Sequence, residues 1–298
     1  MEFLTTFAQF ALSGATTGCV YTLVAIGIVL CASVSNVINF AQGEFVMVGG
    51  MMGASLVAAG WPLPAAILAA AAAGCVLAAL QERLSIVPIR RAAPFIQITV
   101  TLGAAAVVRG SALLIWGKDP LGLPGFTGDD TFELLGALLP IQALWVWGTT
   151  AVLLGAVFWF LSATAAGRAI RAVAINPEAA RLMGINNGLM SLLVFAAGGA
   201  IGAFVGVVIA PITPVSWDVG IEYSVKGFTG AIIGGFRSPG RAAAIAMGIG
   251  IVESLSAGYI SSGSKSIITY GVLLAYLLVR GGVFIRGRRT IAAGGGEH

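Results

Sequence analysis

Charge is scarce in this chain. Of its 298 residues only 9 % are Asp, Glu, Lys or Arg, against about 25 % in soluble domains. Hydrophobic residues make up 58 %, and the mean hydropathy is +0.98. A deficit spread over the whole length predicts an integral membrane protein and leaves no room for a separate soluble domain. Histidine is scarcer still. The single one is His298, in the low-complexity end AAGGGEH, so histidine catalysis and histidine metal sites are not expected. Cysteine is limited to Cys19, Cys31 and Cys75, each inside an apolar run without metal-type spacing, which implies neither a disulfide framework nor a thiolate site. The net charge of +4 does not indicate a nucleic-acid partner, because the basic residues sit in short loops and not on one water-facing surface. The opening MEFLTTFAQFALSG lacks a basic n-region and a cleavage site, and so predicts a first membrane segment, not a removable signal peptide.

What is present is a series of apolar segments, at 5–33, 39–60, 63–81, 95–116, 138–163, 189–212, 225–236, 240–260 and 266–284. At about 20 residues per crossing, the length accommodates roughly 8–10 transmembrane helices. Lipid admits only helices or closed barrels, and the period-two alternation of barrel strands is absent. The expected fold class is therefore an all-α polytopic membrane protein, with one transmembrane domain over 1–298. Segment 225–236 is short. As a helix it rises about 18 Å, less than a hydrocarbon core of about 30 Å, which predicts a half-helix or part of a broken one, a common feature where transporters bind substrate.

Arginine sets the orientation. Arg83, Arg90 and Arg91 share one loop, Arg168, Arg171 and Arg181 another, and Arg237 and Arg241 a third, while Arg280, Arg286, Arg288 and Arg289 close the chain. The alternate loops hold Asp119, Asp129, Asp130 and Glu133, then Asp218 and Glu222, then Lys265. The arginine side is the expected cytoplasmic side, with the N-terminus outside and a cytoplasmic tail over 285–298. Glycine, at 42 residues, recurs at spacing four in Gly14 and Gly18, Gly49 and Gly53, Gly198, Gly202 and Gly206, and Gly230 and Gly234. Small residues on one helix face allow close backbone approach in lipid, either inside one bundle or across a dimer.

Two stretches concentrate polar residues. In AAGRAIRAVAINPEAARLMGINNGLMS, residues 165–191, Asn176 is placed to cap a helix with Pro177 at its first position and Glu178 in its first turn. Met183 and Gly184 end it. In NVINFAQGEFVMVGGMMG, residues 36–53, Asn39 is placed to cap the second helix and Gln42 to reach back to it. Glu44 then sits about one turn inside, where the helix dipole favours a carboxylate. Arg109 and Glu253 lie within apolar segments at a shared depth of about 20 Å. They predict either a structural ion pair or, for Arg109, a charge offered to a carboxylate-bearing substrate. Lys226 opens the short segment four residues after Glu222 and reads as an interfacial anchor more than a substrate ligand.

The run EAARLMG, Glu178 to Gly184, resembles the EAA-x-x-x-G coupling loop of the permease subunits of bacterial ABC importers. GCVYTLVAIGIVL, VINFAQGEFVMVGG, GRAIRAVAINPEAARLMGIN, KGFTGAIIGGFRSPGRA and GIVESLSAGYI are similar, in the same order, to the LivH-type permeases of branched-chain amino acid transport systems. The resemblance implies the ABC-importer permease fold in a bacterial inner membrane. It implies two ABC ATPase subunits, a second permease of a non-identical LivM-like kind, and an extracytoplasmic substrate-binding protein. It assigns ATPase coupling to Arg168, Arg171, Asn176, Glu178, Ala179, Ala180, Arg181 and Gly184. It also suggests that Asn39, Gln42, Glu44, Arg109, Lys226 and Glu253 line the translocation pathway or support its gate. The implied substrate is a branched-chain or other small amino acid, though the same architecture serves urea, amides and aromatic carboxylates. The chain is not expected to be an enzyme or to hold a cofactor. A phosphate-binding G-x-x-x-x-G-K-[ST] is missing; in the nearest approach, GYISSGSKS at 258–266, Ser264 separates the glycine from Lys265. ATP would be bound by partner subunits. The alternative reading, a secondary transporter or channel for a small polar solute, needs no coupling loop and more often shows a carboxylate pair at the midplane.

Overall fold

A computed structural model describes residues 2–279 other than 129, 237, 262, 264 and 265, with the side chains of residues 2 and 3 also outside the description. The expectations for Asp129, Arg237, Lys265, the four arginines from Arg280 to Arg289, the tail 285–298 and His298 therefore fall outside the described residues. The chain is a helical bundle. Its elements are α1 (Glu2–Ser35), α2 (Gln42–Ala58), α3 (Leu63–Gln81), a π turn (Glu82–Ile86), α4 (Val87–Ile89), α5 (Pro94–Trp116), α6 (Gln142–Ala163), α7 (Ala165–Ile175), α8 (Pro177–Leu182), α9 (Asn187–Ile209), α10 (Val219–Gly234) and α11 (Pro239–Tyr259). A last apolar helix, α12, covers Ser266–Val279. Among the described residues six helices are long and apolar enough to cross a membrane. With the shorter α2, α10 and α12, every one of the nine apolar segments carries a helix.

Two segment boundaries differ from the sequence expectation. The segment expected to be helical from 138 begins instead as a hairpin, β1 (Thr131–Leu134) paired antiparallel with β2 (Ala137–Pro140), and α6 starts only at Gln142. Leu135 and Gly136 turn it with positive φ, and the side chains of β2 alternate, Ala137 and Leu139 inward, Leu138 outward. Four residues are too few for that alternation to show against an apolar background. The short segment, expected over 225–236, is α10 over Val219–Gly234. At 16 residues it still rises only about 24 Å.

The two shortest of the core helices, α2 and α10, begin deep inside the bundle. Gln42, the first residue of α2, donates from Nε2 to the Gly198 carbonyl (2.9 Å), at the middle of α9, and also packs on Gly27 of α1. Residues 36–41 therefore climb back into the bundle after α1 ends. Non-helical backbone at such depth survives only where protein satisfies it. Here Ser35 Oγ accepts from the Val37 amide (3.1 Å) and Asn39 Oδ1 from the Ala41 amide (3.0 Å). The stretch before α10 descends from the opposite end: Val215 exchanges two backbone bonds with Leu121 and packs against Gly50 of α2. The N-termini of α2 and α10 then meet, the Gly43 amide donating to Ser224 Oγ (2.8 Å).

Backbone proximity holds the bundle together. Gly49 lies on the Ala203 backbone and Gly206 on the Val46 carbonyl, so α2 and α9 run with no room for a Cβ at either position. Gly14 and Gly18 meet α11 at Gly250 and Met247, and Gly230 and Gly234 meet it at Ala246 and Ala242. Of the two packing roles open for the spacing-four glycines, the structure uses the one inside a single bundle.

Candidate functional site

Glu44 is fully buried, one residue past the junction of α2 and α10, with its carboxylate against Gly220 of α10. Its Oε1 accepts from Arg109 Nη2 of α5 at 2.7 Å. The expected pair of Arg109 with Glu253 is thereby corrected. Equal depth did not mean adjacency, because α5 packs on α2 while Glu253 belongs to α11, which packs on α1 and α10. The capping expectations are corrected as well. The residue before α2 is Ala41, and the helix start carries no side-chain cap. Asn39 and Gln81 exchange hydrogen bonds across to α3 (2.8 and 3.2 Å), and Gln42 binds α9 instead of reaching back. Nor does Glu44 lie at an open end of the bundle: it is two residues, about 3 Å along the helix, from the contact of Gln42 with the middle of α9.

A second polar centre joins α1, α10 and α11. Lys226 Nζ donates to Glu253 Oε1 (2.7 Å), Tyr21 Oη (3.1 Å) and Glu222 Oε2 (3.3 Å). Lys226 and Glu253 are each 1 % exposed, which corrects the reading of Lys226 as an interfacial anchor. An ammonium at this depth is stabilised only by partners this close. Glu253 also borders a cavity of about 340 Å³ with Ser13, Thr17 and Ser254.

Sequence reasoning missed Glu82. It lies fully buried in the π turn and pairs with Arg90, while Gln97 Nε2 holds the carbonyls of Ile89, Arg90 and Ala92. The available signal was one acid inside the basic stretch QERLSIVPIRR.

Within 165–191 the expected helix is α8, and a second one, α7, precedes it. Thr164 caps α7 through the Gly167 amide (2.9 Å), and Asn176 Oδ1 caps α8 by accepting from Glu178 and Ala179 (both 3.0 Å). Met183 ends α8 and Gly184 turns the chain at φ +83°. Ala180 is 4 % exposed and belongs to the same buried cluster as Cys31, Ile86, Ile170, Val173 and Phe195. Arg168, Arg171, Asn176, Glu178, Ala179, Arg181 and Gly184 are exposed. So are three large apolar side chains, Ile175 at 85 %, Leu182 at 89 % and Met183 at 83 %. Asn187 Nδ2 bonds the Pro177 carbonyl (2.7 Å), fixing α8 to the start of α9.

Segment 165–191 is thus anchored on the bundle through Ala180 and Asn187, whereas the Glu44–Arg109 and Lys226–Glu253 pairs lie at the half-helices. Comparison with known proteins identifies the family. The chain is 30 % identical to the high-affinity branched-chain amino acid transport system permease protein LivH of Escherichia coli K12, over 92 % of this chain and 93 % of that one. It is 26 % identical to the permease protein BraD of a branched-chain amino acid system in Pseudomonas aeruginosa, over 92 % and 94 %. A more distant relative is the galactofuranose transporter permease protein YtfT of Escherichia coli K12, 26 % identical over 88 % and 77 %. The family model for the permease component of branched-chain amino acid transport systems matches residues 10–279, and the chain belongs to that family of multi-pass membrane permeases.

Proposed function

We propose that this permease moves a small amino acid through an ABC importer, and that α8 is the element on which partner ATPases act. The observation that carries the proposal is the surface of α7 and α8. Ile175, Leu182 and Met183 are exposed in the same segment as Glu178 and Arg181, while Ala180 and Asn187 couple that surface to the bundle core and α9. Exposed apolar side chains rimmed by charge mark a protein-docking site. A load on α8 reaches α9 directly, and through α9 the Gln42 end of α2. Glu44 and Arg109 then tie that end to α5, which is otherwise held by few neighbours.

In this reading α7 and α8 lie in the cytoplasm, as Arg168, Arg171 and Arg181 indicate, with the N-terminus outside and the C-terminus inside. The substrate arrives from an extracytoplasmic binding protein and crosses between this chain and a second, LivM-like permease. Asn39, Gln42, Glu44, Arg109, Lys226 and Glu253 support that path from inside the bundle. The half-helix junction of α2 and α10 has the form found at transporter binding sites. No bond of the substrate is made or broken, and ATP is bound by the ATPases. Mass spectrometry of proteins that co-purify with the chain from its native membrane tests the proposal. Two ATPases, a second permease and a binding protein support it; a chain that purifies alone and conducts solute without ATP overturns it.

A further inference from the structure

Three sides of α10 are covered, by α1, α2 and α11. The remaining side leaves Ile221 and Glu222 partly exposed, with Val225 and Phe228 half-buried beside them. Glu222 is within the membrane and not at its edge. Gly220, two residues earlier, packs on Glu44, and the intervening rise is only about 3 Å. A carboxylate at that depth is not left to lipid. It faces an aqueous cavity or another protein surface.

The charges around Glu222 do not cancel. Lys226 is one cation facing two carboxylates, and it sits nearer Glu253 (2.7 Å) than Glu222 (3.3 Å). Glu253 Oε2 is buried without a hydrogen-bond partner among the described residues. Tyr21, the third partner of Lys226, brings a hydroxyl and no formal charge. The surplus negative charge therefore emerges at Glu222, whose side chain is 52 % exposed. We propose that Glu222 is a recognition site for the ammonium group of an amino acid on its way through the importer, with Ile221, Val225 and Phe228 as the apolar wall for its side chain. A metal ion is a poor match, since hard cations take about six oxygens and one oxygen of Glu222 is already held by Lys226. An ammonium needs only about three acceptors.

This inference rests on the importer reading, and one experiment separates the two. The full complex, with its ATPases, second permease and binding protein, is reconstituted in liposomes, and ATP-driven uptake of L-leucine is measured for the unmodified, Glu222→Gln and Glu222→Asp forms. Glu222→Gln is expected to lower uptake by about tenfold or more, the loss of one hydrogen bond to a charged group, with the complex still assembled on size-exclusion chromatography. Glu222→Asp is expected to retain most of it. Isopentylamine, which carries leucine's side chain and an ammonium but no carboxylate, should inhibit uptake by the unmodified complex and lose that effect in Glu222→Gln. A working unmodified complex whose Glu222→Gln form transports normally overturns this inference alone. An unmodified complex that moves no amino acid overturns the importer reading and this inference with it.

Discussion

Glu44 and Arg109 stand 65 positions apart in the chain and meet at 2.7 Å in the middle of the bundle. The carboxylate is fully buried and the guanidinium side chain is 20 % exposed. Removing one partner of a buried pair leaves the other uncompensated, at a cost of about 3–5 kcal/mol, whereas removing both is often nearly neutral. Arg109→Gln is therefore expected to be strongly destabilising and Glu44→Gln/Arg109→Gln to recover most of the loss. Thermal unfolding of the purified variants in detergent gives the double-mutant cycle; additive losses would show that the two side chains do not interact.

Glycine packing gives a sharper contrast. Gly206 lies on the Val46 carbonyl of α2, while Gly103 of α5 has open space where a Cβ would be. Gly206→Val should prevent accumulation of folded protein or lower its melting temperature by many degrees, and Gly103→Ala should be silent or mildly stabilising, as expected for a helix interior. Fluorescence-detected size-exclusion of tagged variants reads both. Equal behaviour of the two would remove backbone contact between α2 and α9 as a basis of the fold.

The two faces of α8 should separate folding from docking. Ala180 is buried where α8 meets α7 and α9, so Ala180→Leu overpacks the site and is expected to destabilise by about 1–3 kcal/mol. Leu182 and Met183 touch little and are almost fully exposed. Leu182→Ser with Met183→Ser should leave the melting temperature unchanged and abolish co-purification of the ATPases. Retention of the ATPases by that double variant would place the docking surface elsewhere.

Orientation is open to chemical labelling. Leu182→Cys, in a background with Cys75 replaced by serine, should react with a membrane-impermeant maleimide in inside-out vesicles and not in right-side-out ones. Cys19 and Cys31, both buried, should stay unlabelled in either. Labelling of Leu182→Cys from the outside would invert the topology.

The sequence positions of the apolar helices were legible because each carries an apolar run, and the cap of α8 was legible because Asn176, Pro177 and Glu178 act on immediate neighbours. The partners of buried charges were not. Arg109 and Glu253 share a depth, but depth along two helices says nothing of whether the helices touch, and helix order around the bundle decided that Arg109 meets Glu44 and Glu253 meets Lys226. The climb of residues 36–41 back to the middle of α9 was also hidden. Six residues of mixed polarity look the same whether they cross an interface or re-enter the bundle, and only the distant acceptor at Gly198 distinguishes the two. Glu222 looked like a loop residue for a related reason: α10 begins earlier than its apolar run, so a residue assigned to water belongs to the helix.

Under the proposed function, this chain carries an amino acid across the membrane only when ATPases act on it. The most direct measurement is accumulation of radiolabelled leucine in liposomes holding the reconstituted complex, with binding protein on the substrate side and ATP supplied or withheld on the α8 side. The prediction is accumulation against a gradient that needs both ATP and binding protein and disappears with Leu182→Ser/Met183→Ser. Equilibration of leucine through the chain alone, unaffected by ATP, would contradict it.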